Sequence, residues 1–426
     1  SYTGPAGALT VTAELTQYSD FDACEWVVYF KNNTDGESEI LSDALAVSMD
    51  FDFSDAKLYT CNGDFYSYDG YETTEHDIHA NSGFVFEQAP VGGRACDRAF
   101  PYQRLVSGAG GFNVAVGWPG QWFCRWEENS GKIHLDAGQQ RVHTVLHPGE
   151  TFRTPLIALV GFEGGLERGI NVWRRWYRKY VLPKNAEPIL HGVDNAGGQE
   201  FCSATQEQQL ESLKGFIQNG TGINMWWIDA GWYPAITPEG EENWWKTTGT
   251  WECDKKRFPN GFRPISDYCA QHSVKLMIWF EVERANEGTK LFAEHPEWLV
   301  KNTDEPVRYG FMLDMGNEAC VDYLSKYIAD FLIENNISIY RQDYNFEPLP
   351  YWQHNETPDR VGMNENRCIC GYLRYWDYLL EHVPGLLIDS CASGGRRNDL
   401  ETVRRAIVLH QTDAAYGNHP VKHAFF

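Results

Sequence analysis

From residue 189 onward, short apolar runs alternate with helix-length amphipathic stretches, and no other feature of the chain constrains its fold as much. Strand-sized runs fall at 189–193, 224–228, 275–280, 337–340, 386–388 and 406–409. Helical spacing fills 206–219, 264–272, 290–294, 318–335, 364–381 and 399–405. Repeated strand–helix units imply a parallel sheet, and this many imply a barrel. A closed (β/α)8 TIM-type barrel has eight strands, and six runs are found. The chain is therefore expected to be truncated, or to receive its last two units from another polypeptide.

Residues 1–165 read differently. Apolar and polar positions alternate at 9–15, 26–30, 111–117 and 132–135, between turns rich in Gly, Asn and Asp. Several short strands at that spacing predict an antiparallel β-sandwich. A helical stretch at 171–180, stopped by Pro183, looks like a connector. The expected α/β organisation is a sandwich over 1–165, a linker helix over 166–186 and a catalytic barrel over 187–426.

In a parallel barrel the C-terminal strand ends converge on one face, where chemistry is assembled. Two carboxylates follow such ends: Asp343 after the run at 337–340, and Asp413 after the run at 406–409. A carboxylate pair is the minimum equipment for glycoside hydrolysis. Arg341 and Asn345 flank Asp343 and favour an ionised nucleophile, whereas Thr412, Ala414 and Ala415 beside Asp413 favour a protonated acid. Asp229 sits among Trp226, Trp227, Trp232 and Tyr233, where it would accept from sugar hydroxyls while indole rings hold the sugar face. The plainer alternative is a capping Asp at a turn. Trp279 precedes Glu281 and Glu283 at another strand end, and Arg308 and Arg341 would orient hydroxyls or hold a carboxylate ionised. Cys391 begins a turn through Ser393, Gly394 and Gly395. There Gly394 lets the backbone approach a ligand and the thiol contacts it, unless the segment is merely a tight turn around a buried Cys. A cysteine nucleophile would need a paired histidine, and His410 is the candidate for it.

Aromatics make up 14% of the chain, with 16 Trp, which favours a carbohydrate site, with a Trp-rich core as the equally open alternative. A net charge of −23 argues against nucleic acid, which demands a basic footprint. No apolar run approaches the roughly 18 residues that span a bilayer. The 11 Cys are scattered and read as mostly reduced core residues, without zinc-ligand spacing. The chain starts at Ser1 without a signal-like segment, so its N-terminus is expected to be processed or cropped. A soluble protein, cytoplasmic or secreted, is expected.

Taken in order, these motifs resemble glycoside hydrolase family 36, the α-galactosidase and α-N-acetylgalactosaminidase family. Residues 226–233 (WWIDAGWY) resemble its Asp-Asp-Gly-Trp strand end, and 255–261 (KKRFPNG) its Lys-Phe-Pro-Asn-Gly segment. MIWFEVE at 277–283, HPEW at 295–298 and MLDM at 312–315 are similar to further family elements. RQDYN at 341–345 resembles Lys-Trp-Asp-Met-Asn, and CASGGRRND at 391–399 resembles Cys-Ser-Ser-Gly-Gly-Gly-Arg-Phe-Asp. The resemblance implies a β-sandwich, a (β/α)8 barrel and a C-terminal β-domain absent here, with no metal and no cofactor. It implies Asp343 as nucleophile and Asp413 as acid/base, with sugar contacts from Asp229, Trp279, Arg308, Arg341 and Cys391. Ala230, Arg341, Gln342, Gln411 and Thr412 depart from the family pattern, so the sugar subsite is expected to be altered.

The function expected is that of a retaining exo-glycosidase on an oligosaccharide or glycoconjugate ending in an α-linked galacto sugar. Galactosamine, N-acetylgalactosamine and arabinopyranose stay open as the terminal sugar, as does transfer in place of hydrolysis. A non-catalytic carbohydrate-binding protein is the alternative of another class. No nucleic-acid or membrane partner is expected, and homo-oligomer formation stays open.

Overall fold

The computed structural model describes residues 2–3, 7–53, 55–67, 69–184, 192–194, 201–303 and 310–416. Its N-terminal part is two facing antiparallel sheets. The larger, nine-stranded sheet runs through Leu9–Tyr18, Ala23–Asn32, Leu156–Glu163, Gly110–Gly117, Tyr102–Val106, Ala56–Thr60 and Thr74–Ile78. The smaller, four-stranded sheet is ordered Leu45–Phe51, Lys132–Gln139, Trp122–Asn129, Val85–Gln88.

Side chains alternate across a strand, so a strand buried on both faces loses its polar positions. Leu156–Glu163 is such a strand. Ile157 and Leu159 join the core with Trp122, Trp126 and Phe51 of the smaller sheet. Leu156, Ala158, Val160 and Phe162 face the other way, onto Val172 and Trp176 of the helix Leu166–Tyr180. The connector helix thus covers the outer face of the large sheet, and it begins earlier than the spacing at 171–180 predicts.

A second unit follows, built on a parallel sheet of β1 (Gly192–Asp194), β2 (Met225–Ile228), β3 (Lys275–Phe280), β4 (Ile339–Gln342) and β5 (Leu387–Ser390), hydrogen-bonded in that order. Helices Gln206–Gln218, Arg263–Gln271, Glu318–Glu334 and Met363–His382 lie between the strands in sequence. The sixth run, at 406–409, makes one parallel bridge, Ile407 to Asp389, and no strand. The cause is local: Leu409 N–H donates to the Asp389 side chain at 2.9 Å instead of to a backbone carbonyl, which ends the ladder. The run at 337–340 shifts to Ile339–Gln342 because Ile337 N–H bonds back to Leu332 O and closes the preceding helix. A small antiparallel sheet of Arg284–Ala285, Phe311–Leu313 and Leu299–Val300 has no counterpart in the apolar spacing, because its strands are too short to show a period.

Register decides what the parallel sheet presents. Trp227, Met277, Ile339 and Leu387 share one rung across β2 to β5 and form an apolar layer with Met225. Two residues further along, on the same face, Trp279, Arg341 and Asp389 share the next rung, and Asp229 follows Trp227 by the same step. Another two residues bring Glu281, Asp343 and Cys391. The opposite parity, including Trp226, Ile278, Phe280, Tyr340 and Ile388, packs outward into the main core. A hydrophobic floor with a polar layer above it at the strand ends follows directly from a two-residue period.

The two units share that core, which includes Trp122 and Trp126 of the sandwich with Trp226 and Trp376 of the second unit. They also share a three-stranded sheet of Leu41–Ser42, His143–Thr144 and Arg360–Val361. All 11 cysteines are unpaired thiols. Among the described residues no helix is long and apolar enough to cross a membrane.

Candidate active site

Asp343 follows β4 and is 8% exposed. Each of its oxygens is held by two donors. Oδ1 accepts from Ser393 N–H at 3.0 Å and Tyr344 N–H at 2.8 Å. Oδ2 accepts from Trp279 Nε1 at 3.0 Å and Asn345 Nδ2 at 2.7 Å. Burial alone would raise this carboxyl, but the Arg341 charge and the Ser393, Asn345 and Trp279 donors outweigh it and hold it below its ordinary value. An acceptor met by four N–H donors is an ionised carboxylate.

Arg341 lies one step below on the same face. It pairs with Asp389 and lies over the Trp227 ring, 4.3 Å from its centroid. Burial opposes its charge, yet Cys391, Asp389, Asp229 and Asp343 together push its pKa well above the usual value. Arg341 is thus a fixed cation beneath the Asp343 carboxylate.

Asp413 opens a short 3-10 turn, Asp413–Tyr416, beyond Ile407. Its side chain is 23% exposed, and Oδ1 lies 3.1 Å from His410 Nε2. A histidine three residues back thus faces this carboxyl, where the sequence offered Thr412, Ala414 and Ala415. The His410 ring in turn meets the edge of Trp227.

A short loop joins the two carboxylates. Ser393 donates its N–H to Asp343, and Gly394 forms an antiparallel bridge with Thr412, next to Asp413. Gly394 has φ +87°, and a Cβ there would lie 2.6 Å from Asp413 N and 2.4 Å from Asp64 Oδ2. Only glycine permits this approach. Cys391 Sγ accepts from Gly394 N–H at 3.4 Å within the same loop. Burial pushes its thiol well up, reinforced by Asp343, Asp413 and Asp389 and opposed by Arg341. A raised thiol pKa disfavours the thiolate that a cysteine nucleophile needs.

Among the remaining sequence candidates, Asp229 accepts from its own following N–H, Ala230, at 2.7 Å. Trp279 is buried at 1% exposure, so it serves as a donor to Asp343 and not as an open stacking platform. Arg308 lies outside the described residues. Gln342 faces outward, bonded to Glu283, Trp376 and Tyr340. Its departure from the family pattern therefore changes the packing behind the sheet and not the face that carries Asp343. Glu281 and Glu283 are likewise engaged, by Arg284 and by Arg397.

Known proteins can be set beside this geometry. A family model for melibiases matches residues 151–416. The chain belongs to the melibiase family. This agrees with the resemblance to glycoside hydrolase family 36 read from the motifs. A probable α-galactosidase C of Aspergillus terreus is 25% identical over 419 residues, covering 91% of this chain and 53% of that protein. The α-galactosidase Mel36A of Lactobacillus acidophilus is 23% identical over 275 residues, covering 63% of this chain and 37% of that one. The chain thus spans about half the length, or less, of these relatives. Among solved structures, the family 36 α-galactosidase AgaA of Geobacillus stearothermophilus superimposes with a TM-score of 0.78 at 21% identity, over 95% of this chain and 56% of that one. That likeness establishes the fold.

Two residues of this melibiase-family site escaped the sequence. Asp389, the Arg341 partner, lies within β5 at the parity that should have marked it. Asp64 comes from the sandwich, reaches the loop at Gly395 and Thr412, and carries no local signal at all.

Proposed function

We propose that the protein is a retaining exo-glycosidase that removes terminal α-linked sugars of galacto configuration. Asp343 attacks the anomeric carbon and forms a covalent glycosyl-enzyme while Asp413 protonates the departing oxygen. Asp413 then takes a proton from the water that releases the sugar. Neither step calls for a metal or a cofactor. The observation that carries this proposal is the attachment of both carboxylates to one loop, by the Ser393 N–H on Asp343 and the Gly394 bridge beside Asp413. Double displacement needs carboxyl groups about 5–5.5 Å apart, and a shared short loop suits that range.

Asp229, Trp279, Arg308, Arg341, Cys391 and Gly394 surround the sugar in this proposal. In this proposal the five parallel strands are part of a (β/α)8 barrel that follows a sandwich at 1–165 and a linker at 166–186. Variants of the Geobacillus enzyme have been crystallised with stachyose and with raffinose. For this chain we take the substrate to be an oligosaccharide or glycoconjugate with a terminal α-galacto sugar.

The test is hydrolysis of aryl α-galactoside, α-galactosaminide and α-N-acetylgalactosaminide by the full-length protein, followed by proton NMR. Release of one sugar, first as its α-anomer, is expected. Folded protein that releases none of the three, or that yields the β-anomer first, defeats the proposal.

A further inference from the structure

Asp64 lies on the sandwich, 331 residues in sequence from Gly395 and 348 from Thr412, yet it bonds to both. It is fully buried. Oδ2 accepts from Gly395 N–H at 2.8 Å, and Oδ1 accepts from Thr412 Oγ1 at 2.8 Å. Oδ1 also accepts from Tyr66 N–H at 3.2 Å, which fixes the carboxylate plane. The backbone of Asp64 is anchored by its N–H to Cys96 O at 2.9 Å. Cys96 N–H in turn bonds Arg396 O at 2.7 Å, and Tyr71 OH donates to Gln411 O at 3.0 Å. The sandwich therefore grips both segments that meet at Gly394.

A buried carboxylate is costly unless its oxygens are satisfied, and here the donors that satisfy it come from two separate segments. One segment runs through Ser393, which donates to Asp343. The other runs directly into Asp413. We propose that Asp64 is a positioning residue that sets the place of Asp413 relative to Asp343, so that the sandwich completes the acid/base half of the active site. This rests on the assignment of Asp413 as the general acid. Both Asp64 oxygens are taken by donors of the protein itself. Asp64 acts through Thr412 and Gly395.

A misplaced general acid harms substrates in proportion to their need for protonation, whereas general loosening of the fold harms all of them alike. The experiment compares kcat/KM of Asp64→Ala on an α-galactoside with a poor alkyl leaving group and on one with a dinitrophenyl leaving group. Loss of about 10-fold or more on the alkyl substrate is expected, with less than about 3-fold on the aryl one. Equal losses on both by folded protein, or no loss on either, overturn the inference. Should Asp64→Ala fail to fold, Thr412→Val exchanges the hydroxyl for a methyl, losing its bond to Asp64 and the one from Ala414 N–H, and must show the same selective loss. Its absence overturns the inference equally. Asp413→Ala is measured alongside. If that variant shows no dependence on leaving group, the acid assignment falls and the inference with it. If it does and Asp64→Ala does not, the inference alone falls.

Discussion

At the scale of single residues, the proposed mechanism asks different things of two carboxyls that stand in different surroundings. Asp343 is buried, yet its four N–H donors and the Arg341 charge below it keep it ionised. Asp413 stands in a more open place beside His410. The acid-side limb of kcat/KM against pH, which reports the nucleophile, should lie below the ordinary carboxylate range. Trp279→Phe removes one donor to the ionised form while nearly conserving volume. Losing a donor raises the Asp343 pKa, so the limb should move to higher pH. A pH–rate profile checks this, and an unmoved limb would mean that the indole hydrogen bond does not tune the carboxylate. The same reasoning applies to Cys391: burial and the neighbouring carboxylates push its thiol pKa up, against the Arg341 charge.

At the scale of elements, the loop 391–395 is the piece that sets the geometry. Gly394→Ala would drive a Cβ to 2.4–2.9 Å of Asp64 Oδ2, Asp413 N and Thr412 Cα, at a φ that L side chains rarely adopt. Something must shift, and the atoms in the way include the backbone of Asp413, the proposed acid/base. An activity loss on the order of 10²-fold is expected, since displacements near 1 Å cost about that much. Near-normal activity would show that the loop has slack. Much at this scale could be read from the chain. The strand ends of β2, β3 and β4 announced themselves as apolar runs ending in Asp229, Glu281 and Asp343, because buried parallel strands cannot hide their chemistry in alternation. The end of β5 was missed, since Ile388 looked like its last residue and Asp389 belongs to the strand. The run at 406–409 had strand composition, but a side chain, not the backbone, takes its next rung. Asp64 could not have been found this way, because nothing near it in sequence records a partner more than 300 residues distant.

At the scale of the whole molecule, the sandwich is a structural partner of the parallel-sheet unit and not an appendage. Arg153 and Arg405 hold Glu401, Arg404 holds Glu25, and Glu365 accepts from Trp118 Nε1 and Gln121 N–H, each at 2.7 Å. Burial pushes Glu365 from its usual 4.5 up to about 8, against those two donors. A group with a raised folded value lends stability that is complete below about 4.5 and disappears as the pH climbs through about 8. Glu365→Gln keeps an acceptor for both donors and has no proton to lose. Its melting temperature should match the parent near pH 4 and exceed it at pH 8. Between those limits the difference in stability grows by about 1.4 kcal/mol for each pH unit. A lower melting temperature at pH 8 would show that Glu365 is stabilised there as the anion.

The central claim is that Asp343 forms the covalent bond to the sugar, and azide rescue tests it directly. With Asp343→Gly and an activated aryl α-galactoside, added azide should restore turnover and give the β-galactosyl azide, by attack through the space the carboxylate left. Failure of azide to rescue folded enzyme, or recovery of the α-azide, would contradict the assignment.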